Sequence, residues 1–185
     1  MDARLIALKL SLDELGVDFD ISTIEKRKII QKVIYLGQFA GADLGYRFTW
    51  YQMGPYSGDL ARDYSSLANA LSVGDEDYKS RELQETKKSA LDLISPLLKV
   101  PENSQLDQSW LELIASLHSL KSENSQSELE QSLWLELIAS LHYLKKVVGL
   151  SENKVKAEIK QQKKHLFPFV DLAITQLKYY KSLQF

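Results

Sequence analysis

Chemistry in this chain has to come from oxygen and nitrogen groups, because it contains no cysteine and three histidines, His118, His142 and His165. Without thiols there is no thiolate metal site, no disulfide and no cysteine nucleophile. His118 and His142 could share a metal across a helical hairpin. Neither has an imidazole or carboxylate four residues on, the spacing that sets two ligands on one helical face. The acidic pairs Asp18/Asp20 and Asp59/Asp63 lack an adjacent base and read as capping or solvated residues rather than a general acid–base couple. No glycine-rich phosphate loop, H-E-x-x-H or G-x-S-x-G is present. The expectation is therefore a protein that is not an enzyme, with no metal and no cofactor.

Two places remain where residue types point to binding. The first is the run from Tyr51 to Ser57. Gly54 can take positive φ, Pro55 fixes its own φ and brings no N–H, and Ser57 can accept from free amides of a following helix. Tyr51 and Tyr56 flank this corner, and a helix N-terminus with Arg47 and Arg62 nearby would suit an anion such as a backbone phosphate. The same residues also describe a tight strand-to-helix corner packed with aromatics. The second place is Lys156, Lys160, Lys163 and Lys164, which helical spacing gathers on one face. Nucleic acid would suit that patch, and so would an acidic neighbour within the chain. Residues 101–150 carry seven acids and three lysines, whereas 151–185 carry seven lysines and three acids. No helix combines several Arg or Lys with Asn or Gln on one exposed face, as base readout needs, so nucleic acid is not the favoured partner.

The elements that would position these residues are mostly helical. Leu5, Leu8, Leu12 and Leu15 recur at helical spacing, with Gly16 placed as a C-cap. A second helix opens at Ser22, which forms a capping box with Glu25 and carries Lys26, Arg27, Lys28 and Lys32 outside. Tyr46–Tyr51 alternates aromatic and polar residues and reads as a strand broken by Gly54-Pro55, a wing that would pair near Tyr78–Leu83. Ser57 then caps a helix with Leu60, Tyr64, Leu67 and Leu71 on one face. Further helices are expected over 81–100, near 107–121, 128–149, 151–165 and 168–183, with Pro168 in the first turn of the last.

Nine residues, Trp110–His118, recur unaltered as Trp134–His142, at an offset of 24. Segments 102–121 and 123–145 thus form a tandem duplication inside a single domain of 1–185, too few repeats for a solenoid. Both copies present the same apolar stripe, Leu113, Leu117, Leu120 and Leu137, Leu141, Leu144. The second runs on into the C-terminal helices and is expected in the core. The first is expected outside it, or against a second subunit in a homo-oligomer.

With 185 residues, 44% hydrophobic and 26% charged residues and a net charge of −2, the chain has the make-up of a globular domain. No apolar run approaches the roughly 18 residues of a membrane helix. The charged N-terminus lacks a signal-peptide layout, so no membrane and a cytoplasmic location are expected.

Two signatures together resemble a family. Lys28–Leu36, followed by Tyr46-Arg-Phe and Tyr51-Gln-Met-Gly-Pro-Tyr-Ser57-Gly-Asp-Leu60, is one; Leu135–Leu144 is the other. They resemble the small prokaryotic YwgA-like proteins and, more distantly, the Panacea (SocA-like) antitoxin domains, over most of residues 22–148. Gln52-Met53 before the Gly-Pro pair and the doubled helix depart from both. The YwgA likeness implies no activity. The Panacea likeness implies neutralisation of a toxin by direct contact. The fold expected is mostly α, with a winged-helix-like N-terminal part, a short β-element and a duplicated amphipathic helix. The function expected is a non-enzymatic protein-binding module of antitoxin or defence-associated type, whose partner is another protein; a winged-helix DNA-binding regulator is the alternative.

Overall fold

The computed structural model describes residues 1–101, 108–118, 126–183 and 185, without the side chains of His118 and Ser182. The fold is mostly α with one small β-element. Helix α1 (Ala3–Glu14) is capped by Asp2, whose carboxylate accepts from the amides of Arg4 and Leu5. Its Leu5, Leu8 and Leu12 are buried, and Gly16 follows at φ 65°. Helix α2 (Ile24–Ala40) leads to strands β1 (Thr49–Tyr51) and β2 (Gly54–Tyr56) and to α3 (Gly58–Ser72). Then come α4 (Glu85–Ile94), α5 (Gln108–His118), α6 (Gln126–Lys146), α7 (Glu152–Gln162) and α8 (Val170–Tyr179). Short 3-10 turns at Asp77–Ser80, Ser95–Leu98, Lys164–Phe169 and Lys181–Leu183 join them. No described helix is long and apolar enough to cross a membrane.

The largest interface joins α2 and α6, and the buried apolar residues form one cluster around it. From Ser132 to Leu144 every residue of α6 is buried, as befits a helix wrapped on all sides. Trp134 donates from its indole to the carbonyl of Leu97, which ties α6 to the turn after α4. His142 donates through Nε2 to the carbonyl of Leu183, so its Nδ1 accepts from the Tyr35 hydroxyl at 2.8 Å. Burial holds this ring at a pKa of about 4, hence neutral, with both nitrogens engaged.

Four expectations need correcting. The sheet is a hairpin with Gln52-Met53 as its loop, pairing Thr49 with Tyr56, Trp50 with Pro55 and Tyr51 with Gly54. The partner expected near Tyr78–Leu83 is a 3-10 turn over Asp77–Ser80, so no wing forms there. Next to a two-residue loop the closing pair is hydrogen-bonded and the following one is not. Pro55 falls in the second kind, so the ladder does not miss its N–H and Gly54-Pro55 continues the sheet. The cap of α2 is Thr23, which accepts from Lys26 N, because Ser22 N is turned back onto Asp20 Oδ1. Pro168 sits in the 3-10 turn before α8 rather than in its first turn.

The copies of the duplication take opposite places. The second lies in α6 at the centre, as expected. In α5 the fully buried residues are Trp110 and Ile114, with Leu113 and Leu117 half-buried; Leu120 lies outside the described residues, as do 102–107 and the rest of 119–125. The inward face of the first copy is therefore centred on Trp110 and Ile114, rotated by roughly a sixth of a turn from the leucine stripe, with which it shares Leu117. Trp110 meets Phe169 edge to face at 4.7 Å, so α5 is half-inserted rather than laid on the outside.

Candidate functional site

The corner after β2 is fastened by α2 side chains that bond its backbone, and it lies close against α6. Gln31 clasps Ser57 from both sides, its Nε2 donating to Ser57 O and its Oε1 accepting from Ser57 N, each at 2.9 Å. Ser57 Oγ in turn accepts from Leu60 N and starts α3. Lys32 Nζ donates to the carbonyl of Pro55 at 2.6 Å, on the side of β2 that the ladder leaves open. Gly54 has φ +85°, and a Cβ there would lie 2.4 Å from Ser140 Oγ on α6. Any side chain at 54 collides with the central helix, and Ser140 Oγ has no hydrogen-bond partner among the described residues.

Beside this corner lies a group of buried charges. Glu136 on α6 takes Lys163 Nζ at 2.6 Å and Lys28 Nζ at 2.9 Å, and Lys163 also donates to Gln52 O in the hairpin loop. Burial would raise the Glu136 carboxyl, but the charges of Lys28 and Lys163 outweigh it and bring it to about 2. Lys32, 2% exposed, has no carboxylate within ion-pair distance among the described residues. Burial takes its pKa down to about 7; Glu136 pulls it up, while Lys163 and Lys28 push it further down.

Between α2, the hairpin and α3 these residues leave a hollow of about 200 Å³. Arg27, Lys28 and Lys32 line it, Tyr56 and Tyr64 wall it, and Ile24, Tyr51 and Met53 stand at its mouth, exposed to 52%, 63% and 39%. Among the described residues no carboxylate lines it. Lys28 also borders a second cleft of about 310 Å³, walled by Leu117 of α5, Gln52, Glu136, Lys163 and His165.

Of the residues the sequence singles out, Tyr51, Gly54 and Tyr56 line the hollow, Pro55 holds Lys32, and Ser57 caps α3. Arg62 is exposed and ion-paired with Asp59, and Arg47 is exposed in the loop before β1; neither lines the hollow. The four lysines of the C-terminal patch are separated. Lys163 is buried on Glu136, Lys156 pairs with Asp171 at 2.6 Å, Lys160 stands over the Phe167 ring at 5.4 Å, and Lys164 is exposed. The sequence reading missed Lys28, Gln31, Lys32 and Glu136 as site residues and placed both lysines on an outer face. The spacing carried no signal for them: at 3.6 residues per turn Lys28, Gln31 and Lys32 share an arc of α2 with Glu25, away from Ile30, Val33 and Ile34, which reads as a solvent face.

No family model, curated protein or solved structure matches the chain.

Proposed function

We propose that the chain is a non-enzymatic protein-binding module of antitoxin or defence-associated type, with the Gly54-Pro55 corner as its docking face. The observation that carries this reading is the grouping of Ile24, Tyr51 and Met53 in solvent around a hollow with a cationic lining. Tyr, Met and Arg are the residue types that interfaces favour, and a recess rimmed by them is where a partner's anchor residue seats. The resemblance to YwgA-like proteins and Panacea domains adds support, because its signatures fall on α2, the hairpin, the start of α3 and α6. Those are the elements that build this corner, and the role that the Panacea likeness implies is toxin neutralisation by direct contact.

The rival reading, a winged-helix DNA-binding regulator, is motivated by the helix order and two lysine-bearing helices. Lys163 faces inward and Lys156 is paired, which leaves that reading with less to stand on. A homo-oligomer through the doubled helix would have to use the face of α5 that carries Leu111, 38% exposed, because Trp110 and Ile114 are fully buried within the chain.

The test is co-production with the product of the adjacent gene, followed by purification of the complex and a growth assay. We expect a complex that Tyr51→Glu combined with Met53→Glu weakens by about tenfold or more, with no loss of thermal stability, since both side chains are exposed. An undiminished complex in the double variant would remove the docking face. Tight duplex DNA binding that falls steeply with salt would favour the regulator instead.

A further inference from the structure

We infer that the hollow beside the Gly54-Pro55 corner receives one carboxylate-bearing anchor residue of a protein partner, with Lys32 as the charge that meets it. This rests on the protein-binding reading above and names what the partner presents.

Charge gives the sign of the ligand. Among the described residues three cations and no carboxylate line the hollow. Glu136, the carboxylate acting on Lys32, is already held by two other lysines at hydrogen-bond distance. An ammonium has three N–H donors, and Lys32 has one hydrogen bond among the described residues, to Pro55 O. A buried cation without a counter-charge costs stability, and an apolar side chain of similar length would hold the same space more cheaply. A local rule broken inside a packed helix pair is expected where function requires it. Burial already brings the Lys32 ammonium to a pKa of about 7. A carboxylate beside it would push that value back up.

Size and lining give the class. At about 200 Å³ the hollow is below the roughly 300–1,000 Å³ of small-molecule sites, and holds one side chain or a chain end. Tyr56 and Tyr64 offer apolar walls to the body of such a residue, and Ile24, Tyr51 and Met53 lie where its chain neighbours would rest. A free inorganic anion would leave those contacts unused. The carboxylate could be an Asp or Glu side chain or the partner's C-terminus, and both sources present the same group.

The experiment uses the full chain with ¹³C-labelled lysine, following the Lys32 ε-carbon through a pH titration in four solutions. They contain acetyl-Leu-Phe with a free C-terminus, acetyl-Leu-Glu-Phe amide, acetyl-Leu-Phe amide, or inorganic phosphate. We expect one of the two carboxylate peptides to bind with a millimolar Kd or better and to raise the Lys32 midpoint by about one unit or more. Which one does so identifies a chain end or a side chain. The carboxylate-free amide should bind about tenfold more weakly, and Lys32→Met should lose the carboxylate peptide by a similar factor while melting no lower than the parent. Equal binding of the amide, no binding of either carboxylate peptide, or an equal rise with phosphate would each overturn the proposal. So would a Lys32→Met protein that melts lower yet still binds. Should Lys32→Met fail to fold, the titration of the parent decides alone. A partner complex that is sensitive to Tyr51 and Met53 but indifferent to the carboxylate would keep the docking face and remove the anchor.

Discussion

Glu112 and Glu136 stand at the same place in two identical segments and live in opposite surroundings. Glu112 is exposed on α5, whereas Glu136 is buried between two lysine ammonium groups. Removing one partner of a buried ion pair strands the other, so Glu136→Ala should cost about 3–5 kcal/mol in denaturant unfolding. Glu112→Ala should stay within about 0.5 kcal/mol, as exposed substitutions do. A larger loss in Glu112→Ala would mean that the copies are placed the wrong way round, and similar losses that Glu136 is not held in a buried ion pair. A glycine comparison works in the same way. Gly45 (φ +78°) has nothing within 4 Å of an added Cβ, whereas Gly54 adds a collision with Ser140 Oγ to its own positive φ. Gly45→Ala should lose only the backbone term of about 1–2 kcal/mol, and Gly54→Ala clearly more. Thermal melts giving equal losses would show that Ser140 moves aside freely. The need for glycine at 54 was legible from Gly-Pro chemistry. The identity of the residue it makes room for, 86 positions away, was not.

At the scale of elements, what could be read depended on how many sides of a helix face water. The leucine spacing of α1 and the Leu60–Tyr64–Leu67 face of α3 leave a polar side, and both helices stand where the pattern put them. Helices α2 and α6 are covered nearly all round, so periodicity located them but could not say which side Lys32, Lys28 or Glu136 takes. The hairpin was half-read. Pro55 looked like a strand breaker and is tolerated because the two-stranded ladder asks for no N–H there. The duplication announced itself, yet identical residues gave no hint that one copy is wrapped on all sides and the other buried on one face only. That difference in burial sets an order of losses. Leu141 is fully buried in α6 and Leu117 half-buried in α5, so Leu141→Ala should cost about 2–5 kcal/mol and Leu117→Ala less. Trp110→Ala should rival Leu141→Ala at about 3–5 kcal/mol, since that ring is fully buried and packs on Phe169. A Trp110→Ala protein as stable as the parent would return α5 to the role of a dispensable appendage.

Across the whole molecule, three buried titratable groups bend stability in one direction. His142 is held at about 4 against an ordinary 6.5 by burial, so the unfolded chain takes up a proton first and stability falls as pH drops from 6.5 towards 4. Glu136 is held at about 2 against 4.5, and the stability it adds through its two lysines is lost over that lower window. Lys32 is held at about 7 against 10.5. Its ammonium penalises the fold in full below 7 and progressively less as pH rises towards 10.5. All three sites bind more protons in the unfolded chain, so the slope of stability against pH is positive in each window. The groups facing Lys32 are Lys28 on α2, Glu136 on α6 and Lys163 after α7. Burial raises the Tyr35 and Tyr46 hydroxyls above their ordinary 10, so above that pH the unfolded chain loses protons first and the gain ends. Thermal midpoints should therefore rise from pH 4 to about pH 9. His142→Gln can still accept from the Tyr35 hydroxyl and donate to Leu183 O, and should flatten the acid limb alone. Lys32→Met should flatten the limb above pH 7 and leave the acid limb in place. A parent curve that peaks near pH 6, or a Lys32→Met curve parallel to it above pH 7, would mean that the Lys32 ammonium is solvated in the folded protein.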